Sequence, residues 1–127
     1  MQYIYIMLFA LPLMGFVQTE HPTNYYENGQ IEGEGNWMYG EKDGLWKYYY
    51  ESGQLQQEKN WSFGKIKGVW KWYYESGQLH SEGFWEDDKP EGLWKTYYES
   101  GQLETDGNTK DGKRDSLWRY YYESGQL

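Results

Sequence analysis

The chain carries a seven-residue segment, Tyr-Tyr-Glu-Ser-Gly-Gln-Leu, that occurs four times at a constant interval of 24 residues. A fifth copy begins one interval earlier and has Asn28 in place of serine and Ile31 in place of leucine. A fixed period of this length is typical of a repeat array, in which each unit packs on its neighbours. The copies begin at Tyr25, Tyr49, Tyr73, Tyr97 and Tyr121, which gives full units at 25–48, 49–72, 73–96 and 97–120 and a partial unit at 121–127.

Each unit contains two turn signals separated by two runs of strand length. In the second unit the first turn signal is residues 51–54, where Gly53 suits the positive φ that a hairpin loop requires. The second turn signal is residues 63–68. Residues 54–61 and 69–74 are then the two strands of the unit. The sequence therefore predicts an all-β fold, an elongated single antiparallel sheet of tandem 24-residue hairpins.

Period-two alternation along the first strand of each unit separates a polar face from a face of large and very small residues. In the first unit Gly33, Gly35 and Trp37 share the second kind of face. Glycine inside a strand often marks the close approach of another group, and we expect an aromatic ring from the adjacent strand to cover it. A tryptophan recurs late in every full unit and is expected to form the core, namely Trp46, Trp70, Trp94 and Trp118.

Composition excludes several classes of function. The chain has 127 residues with a net charge of -8, and this balance opposes binding to nucleic acid or to anionic lipid head groups. Aromatic residues make up 21% of the chain, which favours a packed β structure over a disordered tail. The absence of cysteine rules out disulfides, a thiol nucleophile and thiolate metal sites.

Residues 3–17 are uncharged and unlike the repeats. This stretch is too short to cross a bilayer of about 30 Å comfortably as a helix, but it suits the hydrophobic region of a secretory signal. We therefore predict a signal peptide at 1–18, a leader at 19–24 and the repeat array at 25–127, with export to the periplasm, the cell surface or the medium. The alternatives are a buried N-terminal strand or helix that caps the array, and a retained anchor.

The acidic and histidine residues do not form a recognisable catalytic or metal-binding motif. Glu34, Glu58, Glu82 and Asp106 recur at the repeat interval and are interpreted as a solvated acidic stripe. The two histidines have no repeated counterpart, and His80 is predicted to be a solvent-facing strand residue. We accordingly predict no catalytic residues, no metal site and no cofactor.

Aromatic side chains supply the candidate binding residues. If one sheet face stays open, the first tyrosines of the heptads would form an extended stripe able to grip a protein or to stack on sugar rings. Core packing is the alternative role for most of them. Binding is also expected where the copies diverge, around 61–67, 85–91 and 109–115. The candidate partner-binding residues are Tyr49, Tyr73, Tyr97, Tyr121, Trp61 and Trp85.

Residues 35–44 read Gly-Asn-Trp-Met-Tyr-Gly-Glu-Lys-Asp-Gly and resemble the MORN repeat, whose core is Gly-x-Trp-x-x-Gly-x-x-x-Gly. The whole unit is more similar to the MORN variant of the YwqK-like antitoxin family of bacteria. The third unit departs from the pattern with Asp88 at the turn glycine. The fourth departs with Thr109 at the tryptophan and Ser116 at the final glycine. The resemblance implies a hairpin array with a non-enzymatic binding or scaffolding role and, for some members, neutralisation of a toxin.

Three functional hypotheses follow from these observations. The leading hypothesis is an exported, non-enzymatic scaffold that binds another protein. The first alternative is an antitoxin or immunity protein that neutralises a toxin partner, as the resemblance implies. The second alternative is binding of an envelope glycan through exposed aromatic residues. In each case the signal segment is the one expected contact with a membrane.

Overall fold

The computed structural model describes residues 23–127. The predicted signal peptide (1–18), most of the predicted leader (19–24) and His21 lie outside the described residues. Within the described part, the chain forms one open antiparallel sheet of nine strands, and no helix occurs there. The predicted all-β fold, a single sheet of tandem hairpins, is therefore confirmed.

The strands follow one another across the sheet in the order of the sequence, so every strand pairs with its neighbours along the chain. This arrangement is a continuous meander, in which each 24-residue unit adds two strands. The strands are β1 (Asn24–Tyr25), β2 (Ile31–Met38), β3 (Glu41–Tyr49), β4 (Leu55–Ser62), β5 (Lys65–Tyr73), β6 (Leu79–Glu86), β7 (Lys89–Tyr97), β8 (Leu103–Lys110) and β9 (Lys113–Tyr120).

The second turn of each unit is shorter than the sequence predicts. Only Phe63 and Gly64 connect β4 to β5, and both have positive φ, at 47° and 75°. Positive φ at both positions is what a type I′ hairpin turn requires, and its twist matches that of the flanking strands. The predicted strand at 69–74 consequently begins at Lys65 and ends at Tyr73. In the third unit Asp88 takes the glycine position with φ 65°.

A β-bulge follows each of these turns. The register between β4 and β5 shifts between Lys59 and Trp61, and Gly68 lies in the displaced part of β5 with φ 110°. Ser116 occupies the equivalent position in the fourth unit and has φ 62°, a left-handed conformation that costs a non-glycine residue about 1–2 kcal/mol. Bulges of this kind increase the local twist of the sheet.

The core lies on one face of the sheet, called here the aromatic face because it carries Trp46, Trp70, Trp94 and Trp118. Trp46 is 1% exposed. A Cβ atom added to Gly35 would lie 2.4 Å from the Trp46 ring. At the equivalent glycines, Gly83 and Gly107, it would lie 2.3 Å from the rings of Trp94 and Trp118 respectively. The prediction that a ring from the adjacent strand covers each glycine in the first strand of a unit is confirmed.

The second unit differs because Lys59 occupies the glycine position. The Trp70 ring stacks on Trp94, with ring centroids 5.1 Å apart and planes at 22°. Its indole N–H donates to Oε1 of Gln57 at 3.3 Å, whereas the Trp46 indole donates to the carbonyl oxygen of Asn36. The Lys59 ammonium nitrogen lies 5.3 Å from the Tyr48 ring centroid. Burial lowers the pKa of Lys59, and the nearby Lys42 lowers it further.

The second tyrosine of the heptad joins consecutive units. Its hydroxyl donates to the carbonyl oxygen of the first tyrosine in the next copy, 23 residues further along the chain. The same residue closes its own turn through two backbone hydrogen bonds. This tyrosine is therefore a structural connection between units, and the four bonds run from Tyr26 to Tyr49, Tyr50 to Tyr73, Tyr74 to Tyr97 and Tyr98 to Tyr121.

Candidate binding surface

A row of alternating charges crosses the face of the sheet opposite the aromatic face. Each member is the registered cross-strand partner of the next, so an acidic residue always lies beside a basic one. Opposite charges at directly facing positions stabilise a sheet by about 0.2–1 kcal/mol per pair. We call this set the charged row; it consists of Glu34, Lys47, Glu58, Lys71, Glu82, Lys95, Asp106 and Arg119.

The predicted acidic stripe is therefore wrong. The sequence spacing of Glu34, Glu58, Glu82 and Asp106 is correct, but Lys47, Lys71, Lys95 and Arg119 lie between them. At the end of the row Asp106 is buried and accepts two hydrogen bonds from the Arg119 guanidinium, one of them 3.0 Å long from Nε. Which charged residues face each other depends on the strand register. The sequence did not reveal that register, because the second turn of each unit was predicted to be too long.

Three of the candidate tyrosines border the charged row. The hydroxyl of Tyr49 donates to Glu34 at 2.6 Å, and the equivalent bonds from Tyr73 to Glu58 and from Tyr97 to Glu82 are 3.1 and 2.7 Å long. The pKa of each phenol is raised to about 12. Burial is the largest cause, and the hydrogen bond to the carboxylate is the second. The bonds hold each ring in place while it stays half-buried.

Tyr121, the fourth candidate tyrosine, lies just after the end of β9. Its backbone N–H donates to the carbonyl oxygen of Glu104 at 2.8 Å, and its own carbonyl oxygen accepts from Tyr98. With Tyr98, Tyr120, Tyr122 and Leu127 it lines a depression of about 320 Å³. The structure therefore shows it extending the pattern of inter-unit hydrogen bonds. Partner binding by the four tyrosines stays a prediction.

Exposed apolar side chains form a second row beside the charged row. Four of them immediately precede the core tryptophans, and adjacent residues in a strand point to opposite faces. Burial of the tryptophan on the aromatic face therefore places its neighbour on the charged face. Phe84 is the fifth member and is the registered partner of Val69. We call this set the apolar row; it consists of Leu45, Val69, Phe84, Leu93 and Leu117.

The middle of the apolar row is concave. Val69, Phe84 and Leu93 are each between 43% and 49% exposed and line a depression of about 500 Å³. Charged side chains at its margin come from Glu82, Glu91 and Lys95. An apolar centre with a charged rim is the usual anatomy of a protein interface. The other units have asparagine where the third has Phe84, at Asn36, Asn60 and Asn108.

The apolar row was missed as a candidate site, although the sequence contained a signal for it. Leu45, Val69, Leu93 and Leu117 stand directly before the recurring tryptophan. Once that tryptophan is assigned to the core, strand alternation requires these residues to face away from it. The same alternation puts Phe84 on the face opposite Gly83 and Trp85, but its neighbours across the sheet follow only from the register.

The two candidate tryptophans lie on the aromatic face, away from the candidate tyrosines. Trp61 is half-buried, and the Lys42 ammonium nitrogen lies 5.0 Å from its ring centroid. Trp85 packs edge-on against two other tryptophans. Its ring centroid lies 6.4 Å from that of Trp70 and 6.5 Å from that of Trp94. The structure thus divides the six candidate residues between two faces. A binding role for Trp61 and Trp85 stays a prediction.

The prediction that His80 faces solvent is wrong. Its ring packs on Tyr74 and Trp72, with centroid distances of 4.5 and 5.3 Å, and its Nδ1 lies 2.7 Å from the Ser81 hydroxyl. The cause is a register shift between Trp72 and Tyr73, which leaves His80 as the extra residue of a bulge. A bulge interrupts strand alternation and turns the side chain toward the aromatic face.

Within residues 23–127, no group of three or more histidine, aspartate or glutamate side chains is arranged to hold a metal ion. Within the same residues, no helix is long and apolar enough to cross a membrane.

The fold and the surface together define the class as a tandem β-hairpin repeat protein with an open sheet face. The family model described as "MORN repeat variant" matches residues 23–38, 42–62, 66–87, 90–111 and 114–127. Since these segments cover more than half of the chain, the protein belongs to the MORN repeat variant family. Members of this family are commonly repeat and binding modules, which agrees with a scaffold. No curated protein matches the chain.

Proposed function

We propose that the protein is a non-enzymatic binding scaffold that holds another protein on its charged face. The observation that carries this proposal is the concave middle of the apolar row, where Val69, Phe84 and Leu93 remain nearly half exposed. Residues 23–127 form a single sheet, so no second layer of that part of the chain covers these side chains. Contiguous exposed apolar surface with a polar rim marks an interaction site.

The charge pattern favours a protein as the occupant. The charged row has four acidic and four basic members in strict alternation, so it offers no uniform field to a polyanion or a polycation. A protein surface presents both signs together with apolar side chains. Charge pairs with such a partner would fix its register along the row, while the depression takes an apolar side chain.

The matched experiment compares two surface variants in a pull-down from cells that make the protein. The double variant Phe84→Ser/Leu93→Ser removes the centre of the apolar row. The control Phe63→Asn removes an aromatic side chain that is 69% exposed in a turn outside the row. We expect a protein retained by the wild type and by Phe63→Asn to be lost with the double variant. Equal retention by all three would contradict the proposal.

A finer proposal is that the retained protein is a toxin, which the scaffold neutralises by covering it. It is supported by the resemblance of the repeat unit to YwqK-like antitoxins and by a surface suited to a protein partner. Co-expression with a toxin candidate encoded nearby tests the idea through growth. We expect rescue by the wild type and by Phe63→Asn but not by Phe84→Ser/Leu93→Ser. Growth arrest with all three would contradict it.

We also propose that the protein is exported. The support is the uncharged run at residues 3–17, which fits the hydrophobic region of a signal peptide. N-terminal sequencing of the protein purified from its native source tests this, and we expect the cleavage site to lie between Gly15 and Thr19. A protein that begins at Met1 and stays in the cytoplasmic fraction would contradict export.

A further inference from the structure

The fourth unit leaves a gap in the aromatic face. The first three units carry a tryptophan near the end of their first strand, at Trp37, Trp61 and Trp85, whereas the fourth has Thr109. A depression of about 240 Å³ lies at this point. The residues that define its chemistry are Trp94, Thr96, Thr105, Thr109, Arg114 and Trp118.

Comparison with the other units explains why the gap forms here. In the third unit Trp85 fills the equivalent place between Trp70 and Trp94, in edge-on contact with both. In the fourth unit Thr109 is too small to reach both neighbouring rings. The Trp118 ring lies against Gly107 just as Trp94 lies against Gly83, with an added Cβ at 2.3 Å in both units, so it does not fill the place of the missing tryptophan. The space above β8 between β7 and β9 therefore stays open.

The hydroxyl groups in the depression have fixed orientations. The Thr109 hydroxyl donates to the carbonyl oxygen of Gly92 at 3.1 Å. The Thr96 hydroxyl donates to Glu104 at 3.0 Å, so the Thr105 hydroxyl, 2.7 Å from it, is the donor of their shared bond. A hydroxyl that has used its proton keeps lone pairs that accept hydrogen bonds. Thr105 and Thr109 therefore present acceptors to a ligand.

A cation lies at the open side of the depression. The Arg114 guanidinium carbon is 4.4 Å from the Trp118 ring centroid, a cation–π arrangement, and Nη1 donates to the Tyr120 hydroxyl. A guanidinium has five N–H donors, so several remain for a ligand after this bond. Its planar fork is suited to bind a carboxylate through two hydrogen bonds.

We propose that this depression binds one sugar ring that carries a carboxylate, as in a uronic-acid residue of a glycan. The parts of the Trp94 and Trp118 rings that line the depression offer apolar surface to C–H groups of the sugar. Thr105 and Thr109 accept hydrogen bonds from its hydroxyls, and Arg114 pairs with its carboxylate. The volume is below the ~300–1,000 Å³ typical of sites for larger ligands, which limits the occupant to a single ring. The site lies on the opposite face from the proposed protein-binding surface and does not depend on it.

Isothermal titration calorimetry with two matched probes tests the proposal on the full chain. Methyl β-D-glucuronide carries the carboxylate, and methyl β-D-glucoside is its neutral counterpart. We expect the glucuronide to bind at least about tenfold more tightly, which corresponds to one charge-assisted hydrogen bond. Absence of heat with both probes, or equal affinity for the two, would overturn the proposal.

Three variants locate the site. Thr109→Trp restores the residue of the other units, so it should fill the depression and abolish binding while urea denaturation shows a folded protein. Arg114→Gln should weaken glucuronide binding about tenfold and leave the glucoside unchanged. Phe63→Asn, in the exposed turn between β4 and β5, should bind both probes as the wild type does. Glucuronide binding that survives Thr109→Trp would overturn the location.

Discussion

The hydroxyl of Tyr50 donates to the carbonyl oxygen of Tyr73 over 2.7 Å, and so joins the turn of one repeat to the strand end of the next. Equivalent bonds occur at every boundary between described units. In a repeat array the contacts between neighbours supply much of the stability. The heptad is therefore repeated because each copy both makes a turn and joins two units.

Removing one of these hydroxyls should weaken the array. We expect Tyr50→Phe to lower the free energy of unfolding by about 1–2 kcal/mol, because the Tyr73 carbonyl oxygen loses its donor and the Trp72 indole N–H, 3.2 Å from the same hydroxyl, loses its acceptor. Urea denaturation followed by tryptophan fluorescence measures the change. Tyr39→Phe is the control, since Tyr39 is 81% exposed in a turn. A Tyr50→Phe midpoint equal to that of the control would show that these bonds contribute nothing.

The contact between Gly83 and Trp94 should tolerate no side chain. We expect Gly83→Ala to lower the free energy of unfolding by about 1–3 kcal/mol, because the new methyl group would meet the indole ring at 2.3 Å. Gly33→Ala is the milder comparison, since the new methyl group would lie 3.1 Å from the nearest atom of the Tyr48 ring. Urea denaturation should place Gly33→Ala closer to the wild type. The reverse order would mean that the rings move aside freely.

Stability should fall at alkaline pH through the tyrosines of the charged face. The pKa values of Tyr49, Tyr73 and Tyr97 are raised from 10.0 to about 12 in the folded protein. A raised pKa means that the stabilisation is fully present below pH 10.0 and is lost as the pH rises through about 12. Urea midpoints measured across this window should decrease. The triple variant with phenylalanine at all three positions should show a shallower decrease, and an unchanged slope would contradict the assignment.

Reversing one charge in the charged row should destabilise the sheet in a salt-dependent way. Lys71 lies between Glu58 and Glu82, so Lys71→Glu would place three acidic side chains side by side. We expect a loss of about 1 kcal/mol at low ionic strength that shrinks as salt is added. Lys65→Glu makes the same change in net charge on the same strand, outside the row. Equal effects at both positions would show that net charge, rather than the row, is responsible.

Much of the fold can be predicted from the sequence because the repeat presents each signal several times. The interval, the glycine turns and the pairing of strand glycines with aromatic rings all follow from residues in register. The turn at Asp87 and Asp88 was harder, because residues other than glycine hold positive φ there. Misplacing such turns by a few residues leaves the strands recognisable but hides which side chains face each other.

The candidate surface was less predictable for the same reason. The tyrosines stand out in the sequence as repeats, yet their hydroxyl partners, such as Glu34 for Tyr49, are 15 residues away and depend on register. The members of the apolar row are far apart in the sequence. They become one surface only when strand pairing places them side by side on the same face of the sheet. His80 was misassigned because a bulge reverses strand alternation, and no residue at that position marks the bulge.

The presence of Phe84 in a single unit has a consequence for stoichiometry. A perfect array offers the same site many times, at intervals of about 9–10 Å, which is twice the strand spacing. Here asparagine replaces phenylalanine in the other units. The equivalent depression of the first unit, of about 270 Å³, has Asn36 where the third unit has Phe84, so among the described units only the third has an aromatic ring at this place. If the proposed protein partner uses the Phe84 ring, a titration should therefore saturate at one molecule per chain.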